Sequence, residues 1–158
     1  MSNWSTAKRI SAATLVAGTL DILAAIGMTL AYGRPVDAML RYVASGPFPG
    51  AKQMGTAGAA LGLAVHFTLM AIMAAIFVLA ANRFPRLKAQ PVFWGVAYGL
   101  VTYVAMNLLV VPLRFGTFPT NPVGIASQLL FHILLVGIPV ALIARRQRPA
   151  AARCSERL

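Results

Sequence analysis

The sequence predicts an all-α membrane protein in which four transmembrane helices form two hairpins of an antiparallel bundle. Of its 158 residues, 59% are hydrophobic and 11% are charged, whereas a water-soluble domain usually carries about 25% charged residues. Four stretches stay apolar over the roughly 20 residues that a helix needs to cross a bilayer. Basic residues lie beside these stretches and not within them. We therefore expect residues 1–158 to form a single transmembrane domain.

The predicted helices cover residues 10–32, 58–81, 92–111 and 123–144. The first follows Lys8 and Arg9, as the apolar segment of a signal peptide does, but that segment is only about 7–15 residues long. We therefore interpret the first helix as a retained span.

Prolines mark the ends of the later helices. Pro91 and Pro122 are expected in first turns, where a missing N–H has no helical partner to lose. Asn121 is a suitable N-cap residue before Pro122. Pro112 is expected to close the third helix, and Pro139 lies inside the fourth, where we predict a kink.

The distribution of Lys and Arg predicts the orientation of the bundle. Ten of the fourteen lie on one side: Lys8, Arg9, Arg83, Arg86, Lys88, Arg145, Arg146, Arg148, Arg153 and Arg157. The other side has Arg34, Arg41, Lys52 and Arg114. Because cytoplasmic segments are the richer in Lys and Arg, both termini are predicted to be cytoplasmic.

The net charge of +11 could also indicate a nucleic-acid partner. The basic residues lie beside the apolar runs, however, and this distribution argues against that partner.

The first outer loop, residues 33–57, contains a short amphipathic segment. Val36, Met39, Leu40 and Val43 repeat at the spacing of one helical face. We predict a short helix that starts at Pro35 and lies in the headgroup region. A lid over a site that opens outward is the alternative.

Six polar residues interrupt the apolar helices: Asp21, His66, Tyr103, Asn107, Gln128 and His132. Polar groups inside lipid usually face protein and often mark function. They continue rows of small residues at helical spacing, such as Gly58 and Gly62 before His66. At 1.5 Å per residue, they share a layer in the outer half of the membrane, with Asn107 and Gln128 nearer the surface. The sequence therefore predicts a polar interior centred on Asp21, His66 and His132.

Three hypotheses explain this polar cluster. Its members could hydrogen-bond one another and only fix the helix register, as in a structural or accessory subunit. Asp21 with His66 or His132 could form a protonatable site for proton-coupled binding of a small ligand. His66 and His132 could instead be axial ligands of a haem b, because their helices run in the same direction and carry them at matching depth. We favour the second hypothesis, because a neutral residue could fix register at less cost than Asp21.

The sequence contains no nucleophile–base pair, zinc motif, phosphate loop or paired acids of the kinds that mark common enzymes. Enzyme activity is therefore unsupported, and no metal site apart from the haem alternative is predicted. The lone cysteine, Cys154, cannot form an intrachain disulfide. The expected partner is the lipid bilayer. A second copy of the chain or another membrane protein is the alternative partner.

The second half of the chain resembles the YagU-type bacterial inner-membrane proteins, which have several helices and no assigned activity. The resemblance rests on the start of a helix at His66-Phe67, the loop Arg83-Phe84-Pro85-Arg86-Leu87-Lys88, the turn from Pro112-Leu113 to Pro119, and His132 with the closing Arg145-Arg146. It implies a bacterial inner-membrane location and includes both histidines among the matching features.

Overall fold

In a computed structural model, which describes residues 4–146, every regular element is helical. The helices are α1 (Thr6–Ala31), α2 (Val36–Ala44), α3 (Gly55–Arg83), α4 (Arg86–Ala89), α5 (Pro91–Phe115) and α6 (Pro122–Ala144). A 3₁₀ turn, Pro49–Gln53, lies between α2 and α3. Within the described residues, α1, α3, α5 and α6 are long and apolar enough to cross a membrane, with mean hydropathies of 1.8, 2.4, 1.8 and 2.1. The all-helical class with four such helices is confirmed.

Local capping explains where the long helices begin. Pro91 and Pro122 are the first residues of α5 and α6, as predicted. The Asn121 side chain accepts hydrogen bonds from the backbone N–H groups of Val123 and Gly124, at 3.0 and 3.4 Å. These bonds satisfy two of the N–H groups that a helix start leaves without partners.

The expectation that Pro112 closes the third helix is wrong, because α5 continues to Phe115. A π-helical stretch, Val104–Val110, directly precedes this last part of α5. Proline lacks an N–H and crowds the carbonyl four residues earlier, and a wider turn relieves both problems. The helix ends instead at Gly116, whose φ of 67° suits a glycine C-terminal cap.

The same arrangement occurs in α6, where the π-helical stretch His132–Gly137 comes just before Pro139. Single wide turns of this kind are rare in helices and are frequent at functional sites. Here the wide turn begins at one of the predicted site residues.

Glycines set the closest helix contacts. A Cβ added at Gly99 would lie 2.5 Å from the Cα of Ile133, and one added at Gly95 would lie 2.8 Å from the Cα of Ile138. The backbones of α5 and α6 therefore touch, as small residues permit in membrane helices. A Cβ added at Gly18 of α1 would lie 2.8 Å from the Phe67 ring of α3, so the missing side chain also permits close packing here. Helix α1 packs against both α3 and α6.

The amphipathic segment forms α2, which starts after Pro35 as predicted and ends before Ser45. It lies against the beginning of α3, where Gly62 meets the carbonyl oxygen of Leu40. The side chain of Arg114, near the end of α5, donates hydrogen bonds to the carbonyls of Gly46 and Ser45, at 2.6 and 3.1 Å. We call this end of the bundle the α2 end.

At the opposite end, which we call the tail end, Arg9 joins three helices. Its side chain is 2% exposed. It donates to the Ala144 carbonyl of α6 at 2.8 Å, to Asn82 Oδ1 of α3 at 2.9 Å and to Thr6 Oγ1 at 3.2 Å. Nearby, burial and the charge of Arg9 lower the pKa of Lys88. The chain from residue 147 onward, including Cys154, lies outside the described residues.

Candidate functional site

The centre of the candidate site is a contact between Asp21 of α1 and His66 of α3. His66 Nδ1 lies 4.0 Å from Asp21 Oδ2, and the two side chains are 11% and 16% exposed. The other ring nitrogen, Nε2, lies 3.0 Å from the carbonyl oxygen of Gly18. This contact depends on Gly18, because the missing side chain lets the α3 side chains reach the α1 backbone.

The surroundings of His66 determine where its protons lie. A carbonyl oxygen only accepts hydrogen bonds, so Nε2 must carry the proton that it donates to Gly18. In the neutral ring Nδ1 is then an acceptor facing Asp21. One further proton, on Nδ1 or on the carboxyl group, would complete a hydrogen bond if the two groups moved closer. A single proton between Nδ1 and the carboxylate would therefore link the two side chains.

His132 begins the wide turn of α6, a stretch that packs against α1. It is 7% exposed, and its Nδ1 donates to the Gln128 carbonyl at 2.8 Å, which leaves Nε2 as the acceptor of the neutral ring. Its ring meets the Tyr103 ring edge to face, with 5.8 Å between the centroids. The structure thus pairs Asp21 with His66 and places His132, with Tyr103 beside it, on a part of α6 that packs against α1.

Asn107 and Gln128 do not join this group. The Asn107 amide donates to the Tyr103 carbonyl of its own helix at 3.4 Å. Both residues line a cavity nearer the α2 end. They were predicted to lie closer to the surface than the other four residues, and the structure places them in the wall of an opening.

Two cavities lie at the α2 end, on either side of α6. The first, of about 330 Å³, is bounded by α5, the loop before α6 and α6 itself. We call it the α5 cavity, and its polar and small lining residues are Tyr103, Asn107, Thr120, Asn121, Gly124 and Gln128. The second, of about 280 Å³, lies between α1, α2 and α6. We call it the α2 cavity, and its lining includes Thr29, Tyr32, Arg34, Gly124, Ser127 and Gln128.

Sequence reasoning missed two residues that matter for this architecture. From the sequence, Arg9 served only to predict the orientation of the bundle. In the structure its side chain is buried and bonds to groups of α1, α3 and α6. A signal for it existed, because Arg9, Ala13, Ala17 and Asp21 recur every four residues and so lie on one helix face. Arg34 lines the α2 cavity, and no local pattern in the loop indicates that role.

The two histidines do not fit a bis-histidine haem in this arrangement. His66 directs Nε2 to the backbone of α1 and Nδ1 to Asp21, so both ring nitrogens are engaged. A haem plane would need the space that α1 fills next to His66. In the part of the chain that the structure describes, no group of three His, Cys, Asp or Glu residues is placed to hold a metal ion.

Comparisons of the chain with protein-family models, with curated proteins and with solved structures found no match. The resemblance to the YagU-type proteins therefore stays a prediction, and the geometry of the polar site carries the functional argument.

Proposed function

We propose that this chain is a multi-pass protein of the bacterial inner membrane whose interior holds a protonatable site for proton-coupled binding of a small ligand. Asp21 and His66 hold the proton, His132 supplies a second imidazole on the neighbouring part of α6, and Tyr103 positions the ring of His132. In this proposal the four long helices form two hairpins, and both termini are cytoplasmic. The support for this orientation is the excess of Lys and Arg at the termini and in the loop between α3 and α5.

The observation that carries the proposal is the position of Asp21 beside His66 within the apolar part of the bundle. A carboxylate away from water is costly unless it is protonated or paired. Imidazole is the side-chain group that most readily changes charge near neutral pH. A carboxyl group and an imidazole that share one proton can therefore change charge together when a ligand or the pH changes.

The competing explanation is that the polar groups only fix the helix register. Interhelical hydrogen bonds in membranes contribute about 0.6 kcal/mol on average, and a neutral pair would supply that without a carboxylate. The bond from His66 to the Gly18 carbonyl already joins α1 to α3. Asp21 is not needed for it, which favours a role in protonation.

Infrared spectroscopy of the purified protein in lipid tests the proposal. The chain has only three Asp and Glu residues, so the carboxyl band of one side chain can be followed through a pH titration. We expect a band that changes with pH and is lost in Asp21→Asn. His66→Gln should move the pH at which that band changes, because it removes the group that shares the proton.

The matched control is Asp37→Asn. Asp37 is exposed and pairs with Arg41 of its own helix at 2.6 Å, so its loss should leave the Asp21 band unchanged. If Asp21→Asn altered thermal stability but no pH-dependent band, the polar cluster would be structural and the proposal would fail.

A further inference from the structure

The α5 cavity and the α2 cavity share one wall. Gly124 and Gln128, on the first turns of α6, line both of them. A Cβ at Gly124 would meet only the side chain of Asn121, at 3.7 Å or more. The wall is therefore thin, because neither a side chain nor a neighbouring helix fills the space beside Gly124.

Both cavities lead toward the protonatable site. In the α2 cavity, Ala25 lies one helical turn from Asp21. In the α5 cavity, Tyr103 lines the opening while its ring touches His132. Gln128 itself accepts the hydrogen bond from His132 Nδ1 through its carbonyl. A ligand at the shared wall would thus lie about one helical turn from Asp21 and from His132.

The charge of the lining indicates what kind of ligand it suits. Neither of the acidic residues in the described range, Asp21 and Asp37, lines either cavity. The charged lining residue is Arg34, which is exposed and lies over the Tyr32 ring at 6.0 Å. The remaining polar lining consists of neutral hydrogen-bonding groups. A cation at the mouth, with amide and hydroxyl groups inside, favours an anion over a cation.

We infer that the two cavities form a vestibule at the α2 end that admits a small anionic solute, such as a carboxylate, to the wall formed by Gly124 and Gln128. This inference rests on the proposed function and adds to it the side of access and the charge class of the ligand. The anion would arrive beside a site that can supply a proton. Arg34 selects it at the entrance, and Gln128 links its position to His132.

Thiol-labelling rates test the vestibule without knowledge of the natural ligand. The single native cysteine is removed by Cys154→Ser, and Gly124→Cys is added, a change that the open space around Gly124 accommodates. The protein in lipid vesicles reacts with two small methanethiosulfonates, one carrying a sulfonate and one a trimethylammonium group. At low salt the anionic-to-cationic rate ratio should exceed that of a free thiol in the same buffer by about fivefold, the size expected for one unit charge acting across several ångströms of water.

Two further variants in the Cys154→Ser background control this measurement. Arg34→Gln, combined with Gly124→Cys, should lower the rate ratio toward that of the free thiol. Ala126→Cys, on an exposed position of the same helix that lines neither cavity, should react slowly with both reagents, because a thiol facing lipid does not ionise readily.

An unreactive Gly124→Cys, or an anionic-to-cationic rate ratio no higher than that of the free thiol, would overturn the vestibule even if the Asp21 band titrates. Conversely, an anion preference that depends on Arg34 would support the vestibule even if the Asp21 band failed to appear. The two experiments therefore fail independently.

Discussion

Arg9 is a buried cation whose hydrogen-bond partners within residues 4–146 are neutral oxygen atoms. A buried charge is costly unless hydrogen bonds compensate it. Here one partner is the Ala144 carbonyl, in the last turn of α6, where helix carbonyls lack donors and the helix dipole favours a positive charge. The guanidinium can serve α1, α3 and α6 together because its donors point in several directions. Arg9 therefore stabilises the contact between α1, α3 and α6 at the tail end of the bundle.

The first prediction concerns this residue. Arg9→Met keeps most of the side-chain volume but removes the donors to Ala144 and Asn82. We expect it to lower the free energy of unfolding by about 1.5–3 kcal/mol, the range for hydrogen bonds to a charged group. Thermal unfolding in detergent measures the change. Lys8→Met, at the neighbouring exposed position, is the control and should change stability by less than about 0.5 kcal/mol. Equal effects of the two changes would contradict this stabilising role.

At the scale of elements, α2 is held in place from two sides. Gly62 lets the Leu40 backbone rest directly on α3, and Arg114 holds the carbonyls that follow α2. The rings of Tyr42 and Phe115 also stack with their centroids 4.4 Å apart. Helix α2 is thus a fixed wall of the α2 cavity and a link between α3 and α5.

The second prediction tests this docking. In Gly62→Ala the new Cβ would collide with the backbone of Leu40, so α2 must move away. We expect a loss of roughly 1–3 kcal/mol, as for other overpacked contacts, measured by thermal unfolding in detergent. The matched control is Gly27→Ala on α1, where a Cβ meets nothing within 4 Å. That change should instead stabilise the helix by up to about 1 kcal/mol. Similar behaviour of the two variants would show that α2 does not depend on Gly62.

At the scale of the whole molecule, the Lys and Arg residues that the structure describes lie at the two ends of the bundle. Arg34, Arg41 and Arg114 lie toward the α2 end, and Arg9, Lys88 and their basic neighbours lie toward the tail end. The proposed vestibule opens at the α2 end, so the orientation decides which compartment supplies the solute. With both termini cytoplasmic, the solute would come from outside the cell membrane.

The third prediction tests this orientation. Cys154 is the only cysteine of the chain, and a cytoplasmic C-terminus requires that an impermeant thiol reagent label it only after the membrane is opened. Labelling is measured on spheroplasts before and after permeabilisation. In the comparison variant, Lys52→Cys with Cys154→Ser, the thiol should react before permeabilisation. Labelling of Cys154 in intact spheroplasts would reverse the proposed orientation and move the vestibule to the cytoplasmic side.

Several features of the candidate site were predictable from sequence because they depend on helix geometry. Asp21, His66 and His132 could be placed on small-residue faces at similar depth, since rise and rotation per residue are nearly constant. Their meeting could not be derived in detail. It depends on Gly18, which lets α3 approach α1, and on the wide turn of α6 that begins at His132.

The sequence by itself determined the four apolar helices, the capped start of α6 and the polar residues that interrupt these helices, because hydropathy, capping and spacing act over a few neighbouring residues. Only the tertiary structure decided that α2 rests on α3, that Arg9 is buried and that Asn107 and Gln128 line cavities. It also decided that α5 continues past Pro112. Contacts between helices depend on backbone surfaces far apart in the chain, and their rotation about one another is not encoded in any single segment.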